Sequence, residues 1–381
     1  VSLLPYLAVL PYLGPLALLG ILAKRKPELK TFPPRTGRPL SVIIPARNEE
    51  GVIERCVRSI LTSTYSPLEI LVVDDRSTDG TSAIVEGLAR EDARVRLIRG
   101  EPLPEGWYGK PWACVQGFRA ATGELICFTD ADTIHEPALL AHSVGALEAT
   151  GAGLFTVMPT QICLTWAERV VLPQIFFPLA VRFHPSVLNR ETDPQKAIAN
   201  GQFILMSRTE YEHVGTHAVV RHEVAEDLAL SQEVMKVGGR IFMAYALDLM
   251  STRMYTGWSH IREGWSKNLF LGARRVFPLD QPIRRAIAPY FVAVPFSFFL
   301  IPLLVLLLGL LGVQTAFIGP AVAAILLSTL FWMLFDAGMG IPMLWGLGFP
   351  LGAIATFYIA LRSTWRGARK IEWKGRTYGG S

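Results

Sequence analysis

Two aspartates stand one residue apart in Phe128-Thr129-Asp130-Ala131-Asp132-Thr133, directly behind the apolar run Leu125–Phe128. In an extended segment residues i and i+2 point the same way, so Asp130 and Asp132 are expected to project to one side of a strand end. Two carboxylates so placed repel each other unless a cation lies between them and a substrate, and hard oxygen ligands favour Mg²⁺ or Mn²⁺. An ion bridging from there to a diphosphate neutralises the charge that develops as the phosphate leaves, which is Lewis-acid catalysis.

The pair gains weight from two further polar clusters, Pro45-Ala46-Arg47-Asn48-Glu49 and Asp74-Asp75-Arg76-Ser77-Thr78-Asp79-Gly80. Taken singly each has a plain reading, since Ser77, Thr78 or Asp79 can cap a helix and Arg47 can be a solvated loop residue. All three, however, follow short runs rich in branched apolar residues: 40–44, 69–73 and 125–129, with a fourth run at 95–98. Such runs are expected as strands buried on both faces. Helical spacing over 49–62, 81–90 and 111–121 alternates with them, which predicts an α/β domain with a mainly parallel sheet. Ligands on such sheets bind beyond the carboxyl ends of the strands, so the three clusters should line one polar cleft.

These motifs resemble those of the membrane-bound family 2 glycosyltransferases with a GT-A fold. The resemblance is carried by Ser41-Val-Ile-Ile-Pro-Ala-Arg-Asn-Glu-Glu50, Glu69-Ile-Leu-Val-Val-Asp-Asp-Arg-Ser-Thr-Asp-Gly-Thr81, Phe128–Thr133 and Ala225-Glu-Asp-Leu-Ala-Leu230, in the family's order. Gly109-Lys-Pro-Trp-Ala113 and Trp373-Lys-Gly-Arg-Thr-Tyr378 are similar to the lipid glycosyltransferases of carotenoid and hopanoid pathways. The resemblance implies a UDP-sugar donor, with Pro45, Arg47 and Asp75 around the uridine and Glu49 and Asp74 in the same clusters. It implies Asp130 near the ribose and sugar, Asp132 on the Mg²⁺ or Mn²⁺, Lys110 on the donor phosphate, and Asp227, with Glu226 beside it, as the base of an inverting displacement. A partly desolvated carboxylate is suited to that task because burial raises its pKa towards neutrality, although Glu226 and Asp227 would also favour the start of a helix over 228–237.

Processive polysaccharide synthases carry Q-x-x-R-W after the acidic motif, whereas this chain reads His260-Ile-Arg-Glu-Gly-Trp265. The departure favours transfer of one sugar and leaves Trp265 as an acceptor contact or an interfacial anchor. The expected acceptor is a membrane lipid of carotenoid, hopanoid or other isoprenoid type. The alternatives are a polyprenyl-phosphate glycosyltransferase or polysaccharide synthase and, in a different class, a non-catalytic membrane scaffold or a transporter.

Of the 381 residues 51% are hydrophobic and 18% charged, with a net charge of +5. That charge is too mild to argue for nucleic acid and suits a protein lying against anionic lipid. The apolar residues gather at the two ends. Val1–Ala23 has no charge and is closed by Lys24-Arg25-Lys26, which predicts an N-terminal membrane anchor, followed by a catalytic domain over 38–280, a membrane region over 286–361 and a basic tail over 362–381. Within the membrane region the apolar stretches are 290–312, 315–335 and 341–361. Basic residues at 24–30, at 284–285 and in the tail place the catalytic domain and the C-terminus in the cytoplasm. Three full C-terminal spans would put the tail outside. The third stretch, interrupted by Gly346, Gly348, Pro350 and Gly352, is therefore expected as a re-entrant or interfacial segment. The segment 164–183 is expected as an interfacial amphipathic helix. His213, His217 and His222 read as a loop lining the acceptor entrance, and the four cysteines, with no C-x-x-C pair, as reduced core residues.

Overall fold

The computed structural model describes residues 4–24, 27–276, 298–313, 315–366, 370–373 and 376–379. Arg25, Lys26, Arg284, Arg285, Arg369, Lys374 and the opening of the 290–312 stretch lie outside the described residues. The chain divides into two compact units, one made of Lys26–Gln161, Pro185–Met254 and Lys370–Ser381, the other of Val1–Arg25, Ile162–His184 and Tyr255–Arg369. The catalytic region expected over 38–280 is thus interrupted, because the helices Trp166–Arg182 and Trp258–Val276 group with the apolar helices.

The first unit is built on strands β1 (Leu40–Ala46), β2 (Leu68–Asp74), β3 (Val95–Arg99), β4 (Leu125–Thr129), β5 (Thr133–His135), β6 (Leu154–Met158), β7 (Thr160–Gln161), β8 (Phe203–Ser207), β9 (Ile241–Tyr245) and β10 (Met250–Thr252). Seven of them form one sheet in the order β3-β2-β1-β4-β8-β6-β9. The strands β1 to β4 are mutually parallel where they pair, and β8 runs antiparallel to both β4 and β6, so the sheet is mixed. A small sheet of β5, β10 and β7 stands beside it.

Side-chain alternation explains why the strands are apolar throughout. Val42, Ile44, Ile70, Val72, Leu125 and Cys127 enter the core on one face, and Ile43, Leu71, Val73, Ile126 and Phe128 enter the core on the other. The helix Ile53–Leu61 covers one face with Ile53, Cys56, Val57 and Ile60 at helical spacing, while Glu54 and Arg58 pair at 2.9 Å on its solvent side. It starts later than position 49 because Glu49 and Glu50 belong to the preceding loop, where the Glu50 carboxylate accepts from Gly80 N at 2.5 Å. All four cysteines are free and buried.

Among the described residues, Leu4–Leu22, Trp166–Leu188, Thr315–Gly338 and Met343–Arg366 are helical, long and apolar enough to cross a membrane, and Phe298–Leu310 is apolar but shorter. Phe177, Phe299, Phe331, Trp332, Phe335 and Phe349 form the core of the second unit, with Phe299 stacked on Phe331 at 5.2 Å. Two expectations change here. The helix Trp166–Arg182 is buried on nearly every side between Ala167 and Phe177 and lacks the polar face of an interfacial helix. Its charge near the start, Glu168, is fully buried and closes a capping box, accepting from Thr165 Oγ1 at 2.6 Å and from Leu164 N at 2.8 Å. The glycines of the third C-terminal stretch are packing positions: a Cβ on Gly346 would stand 2.5 Å from Met333 N, and one on Gly352 2.3 Å from Val170 O. They let backbones approach and leave the helix Phe349–Arg366 intact.

Candidate active site

The carboxyl ends of β1, β2 and β4 lie side by side, with Ala46 opposite Asp74 and Ile43 opposite Phe128. Pro45 is tolerated there because its ladder partner is on β2 alone, while pairing with β4 has ended at Ile43. Arg47 Nη1 donates to the carbonyls of Asp75 at 2.5 Å and Arg76 at 3.0 Å, which joins the first two polar loops. Asn48 and Arg76 take left-handed backbone conformations at φ 53° and 57°. Asn48 Oδ1 secures the turn by accepting from Thr78 N at 2.8 Å. Asp74 is committed to this scaffold, accepting from Ser77 N at 3.0 Å and from the Ser82 hydroxyl. Asp75 is buried at the loop start, its N–H donating to Ala46 O at 2.7 Å. Glu49 N is held by Thr81 Oγ1 at 2.8 Å.

The segment from Asp130 to Asp132 forms a turn between β4 and β5, so the extended i, i+2 geometry read from the sequence does not apply. The turn is held from behind. Thr133 Oγ1 donates to Asp130 O at 2.8 Å and lies 3.2 Å from His135 Nε2, and Thr129 Oγ1 lies 3.1 Å from that nitrogen. Asp130 Oδ1 meets Lys110 Nζ at 2.7 Å, and the same ammonium meets Glu226 Oε1 at 2.7 Å. Lys110 comes from the first turn of the helix Gly109–Ala120, and Glu226 from the first turn of the helix Glu226–Lys236. One lysine therefore links the loop after β4 to the acidic helix start.

Electrostatics separates three of the acids. Burial pushes Asp132 up to about 7, helped by the charges of Asp130 and Glu49. Burial also pushes Asp227 up, to about 6, with the Glu226 charge adding to it. Burial would raise Glu226 too, but the Lys110 ammonium outweighs it and holds Glu226 below the usual glutamate range. Lys110 itself stays charged, because Asp130, Glu226 and Asp227 outweigh its own desolvation. Asp227 is oriented by two backbone donors, Leu228 N to Oδ1 at 2.7 Å and Gly201 N to Oδ2 at 2.9 Å.

The acids beside Lys110 fit a divalent cation. Asp132 Oδ1 is enclosed and has no hydrogen-bond partner among the described residues, and it lies in the field of two further carboxylates. No group of three or more His, Cys, Asp or Glu side chains among the described residues is spaced to hold a metal. The chain would supply one or two ligands, and Mg²⁺ or Mn²⁺ takes its remaining ligands readily from phosphate and water.

Trp265 belongs to the second unit, in an aromatic group with Phe176 at 6.0 Å and Tyr255 at 6.2 Å. His217 does not line an entrance: it is buried, with Nδ1 2.6 Å from Tyr211 OH and its ring against Phe128. Two site features escaped the sequence reading. Gly201 touches the Asp227 carboxylate so closely that a Cβ would lie 2.8 Å from Oδ2. The Thr129-Thr133-His135 group carries the turn; the sole outward sign of either feature is polar residues inside apolar strand ends.

Residues 41–215 match the family model described as Glycosyl transferase family 2. Among curated proteins, the 4,4'-diaponeurosporenoate glycosyltransferase of Staphylococcus aureus is 28% identical over 238 residues. The match covers 61% of this chain and 61% of that relative, so the chain spans less than two thirds of the relative's length. Among solved structures, the mannosyltransferase PcManGT of Pyrobaculum calidifontis, in complex with GDP-Man and Mn²⁺, superposes with a TM-score of 0.50 at 20% identity, over 94% of this chain and 98% of its own. That likeness concerns the fold. The family match thus runs from β1 to beyond β8 on the sheet described above, and that sheet has the GT-A fold of the solved glycosyltransferase it resembles.

Proposed function

We propose that the chain transfers a single sugar from a UDP-sugar to a lipid acceptor, with inversion at the anomeric carbon. The observation that carries this reading is the Lys110 bridge between Asp130 and Glu226, which sets an ionised cluster for a diphosphate beside a carboxylate, Asp227, of raised pKa. Pro45, Arg47 and Asp75 form the wall for the nucleoside, with Glu49 and Asp74 shaping the loops around it. Asp130 and Asp132 are the residues that would hold Mg²⁺ or Mn²⁺, and the ion would supply neutralisation of charge on the leaving diphosphate. Lys110 adds a fixed positive charge beside the same group.

Asp227 accepts the proton of the acceptor hydroxyl as its oxygen bonds to the anomeric carbon. The bond from that carbon to the diphosphate oxygen breaks, and its electron pair leaves with UDP. Two backbone donors keep the base oriented while burial keeps it basic enough to act near neutrality. The Staphylococcus aureus relative is named for a carotenoid acid, which supports an apolar isoprenoid-like acceptor here. A carboxylate acceptor arrives deprotonated and needs no base. The reading further places the site on the cytoplasmic side of the inner or plasma membrane.

Mass spectrometry of lipid extracts from cells with and without the protein tests the reaction. One added sugar per lipid is expected; a ladder of added sugars would mean a polymerising enzyme. Calorimetry with UDP and GDP in Mn²⁺ tests the donor, and tighter binding of GDP would overturn the uridine assignment.

A further inference from the structure

The helices Trp258–Val276 and Phe349–Arg366 of the second unit meet through an uneven set of charges. Glu263 accepts from Arg362 Nη2 at 2.5 Å and from Arg366 Nη1 at 2.9 Å, and Arg262 Nη2 stands 3.6 Å from the same carboxylate. Three guanidinium groups thus face one acid, and guanidinium does not deprotonate in proteins. The Nε atoms of Arg262 and Arg362 are enclosed and have no hydrogen-bond partner among the described residues. An enclosed donor without an acceptor is unfavourable, so each of these two Nε–H groups can gain from an anion placed beside it.

The place of the cluster indicates which anion. Arg362 and Arg366 lie in the last turns of Met343–Arg366, a helix long and apolar enough to cross a membrane. Leu351, Ile354, Phe357, Tyr358 and Leu361 are exposed along it, and Trp365 beside the arginines is 91% exposed. Exposed apolar residues that give way to tryptophan and arginine mark the level where hydrocarbon meets headgroups. We propose that Arg262, Arg362 and Arg366 form a phosphate-binding cluster that takes the headgroup of an anionic membrane phospholipid. Arginine forks match phosphate oxygens, and Glu263 engages Nη atoms of Arg362 and Arg366, which leaves the enclosed Nε–H of Arg362 for the phosphate. The inference rests on the apolar helices meeting a bilayer and is independent of the transfer reaction.

The test uses the full chain, extracted in detergent from membranes containing equal phosphatidylglycerol and phosphatidylcholine, with native mass spectrometry reading the retained lipid. Wild type is expected to retain phosphatidylglycerol preferentially. Arg262→Gln and Arg362→Gln should each lower the preference on the order of fivefold, the factor that corresponds to about 1 kcal/mol per basic residue at an anionic surface. Glu263→Gln, which removes the competing acid, should raise it. Arg362→Lys keeps the charge without the fork and should fall between wild type and Arg362→Gln, and thermal unfolding of each variant reports its fold. An unchanged preference in folded arginine variants would overturn the proposal. Displacement of the lipid by excess UDP would also overturn it, by making the cluster a nucleotide-phosphate site. If the chain extracts without detergent, the membrane reading itself fails, which is a separate outcome.

Discussion

Glu226 and Asp227 are neighbours in sequence and opposites in chemistry, because Lys110 reaches the first and not the second. A group that must accept a proton works in its ionised form, so with a hydroxyl acceptor and saturating metal and donor, transfer should rise with pH through about 6 and level off above it. Asp227→Asn should lower kcat by ~10²- to 10⁴-fold, the range for loss of a general base. UDP affinity should hold, since the proposed nucleoside wall is at the ends of β1 and β2. Single-turnover rates beside calorimetry separate the two effects, and an equal loss of UDP binding would make Asp227 a donor-site or structural residue. Glu226→Gln removes the negative charge beside Asp227 and should move the acidic limb of the pH profile to lower pH; a shift upward would contradict the arrangement. A mild Asp227→Asn phenotype without an acidic limb is the signature of a carboxylate acceptor. The individual acids were legible in the sequence because each follows an apolar run or opens a helix. The bridge was not, because residues 110, 130 and 226 are brought together by tertiary structure alone. Gly201 was equally silent, since close approach to a carboxylate leaves no periodic mark.

At the scale of elements, the strands β1 to β4 were readable because both faces are buried and their composition is therefore uniform. The helix bounds followed from apolar spacing to within a few residues. The turn over 130–132 was misread as extended, because its shape comes from hydroxyls and an imidazole packed behind it. Thr133 is the centre of that support, reaching Asp130 O, Thr129 Oγ1 and His135 Nε2 at 2.8, 3.1 and 3.2 Å. Thr133→Val keeps the branched shape and removes the hydroxyl. It should reduce stability by roughly 1–3 kcal/mol, the range for leaving buried polar partners unsatisfied. If the turn positions the metal ligands, the same variant should need more Mn²⁺ for half-maximal UDP binding. Denaturant midpoints and Mn²⁺ titrations measure the two quantities. A loss of stability with an unaltered Mn²⁺ requirement would show that the network supports the sheet but does not set the ligands.

At the scale of the whole chain, sheet pairing constrains which apolar helices cross the bilayer. Trp166–Leu188 is long enough to span, yet β6 before it and β8 after it are hydrogen-bonded in one sheet, so a single crossing is excluded and both its ends return to one side. The proposed cytoplasmic placement of both the catalytic unit and the basic tail needs an even number of crossings between Met254 and Lys370. Thr315–Gly338 and Met343–Arg366 are each long and apolar enough to supply one of two crossings. The charge pattern in the sequence already demanded that one of the three stretches yield. Reading glycine as helix-weakening singled out the third, whereas Gly346 and Gly352 are close-packing positions that leave the helix Phe349–Arg366 intact. Glu263 adds an independent sign, because it follows Met254 closely in the chain and pairs with Arg362 and Arg366 at the far end of the last helix. Ser381→Cys should therefore resist labelling from outside intact cells, as should a cysteine at Lys30, while Met339→Cys, in the link between the two crossing helices, should label. Labelling at Ser381 with protection at Met339 would mean that 290–312 crosses as well and that the C-terminus lies opposite the catalytic unit. That outcome would overturn the proposed cytoplasmic C-terminus, and would reverse the side on which the Arg262, Arg362 and Arg366 cluster meets lipid.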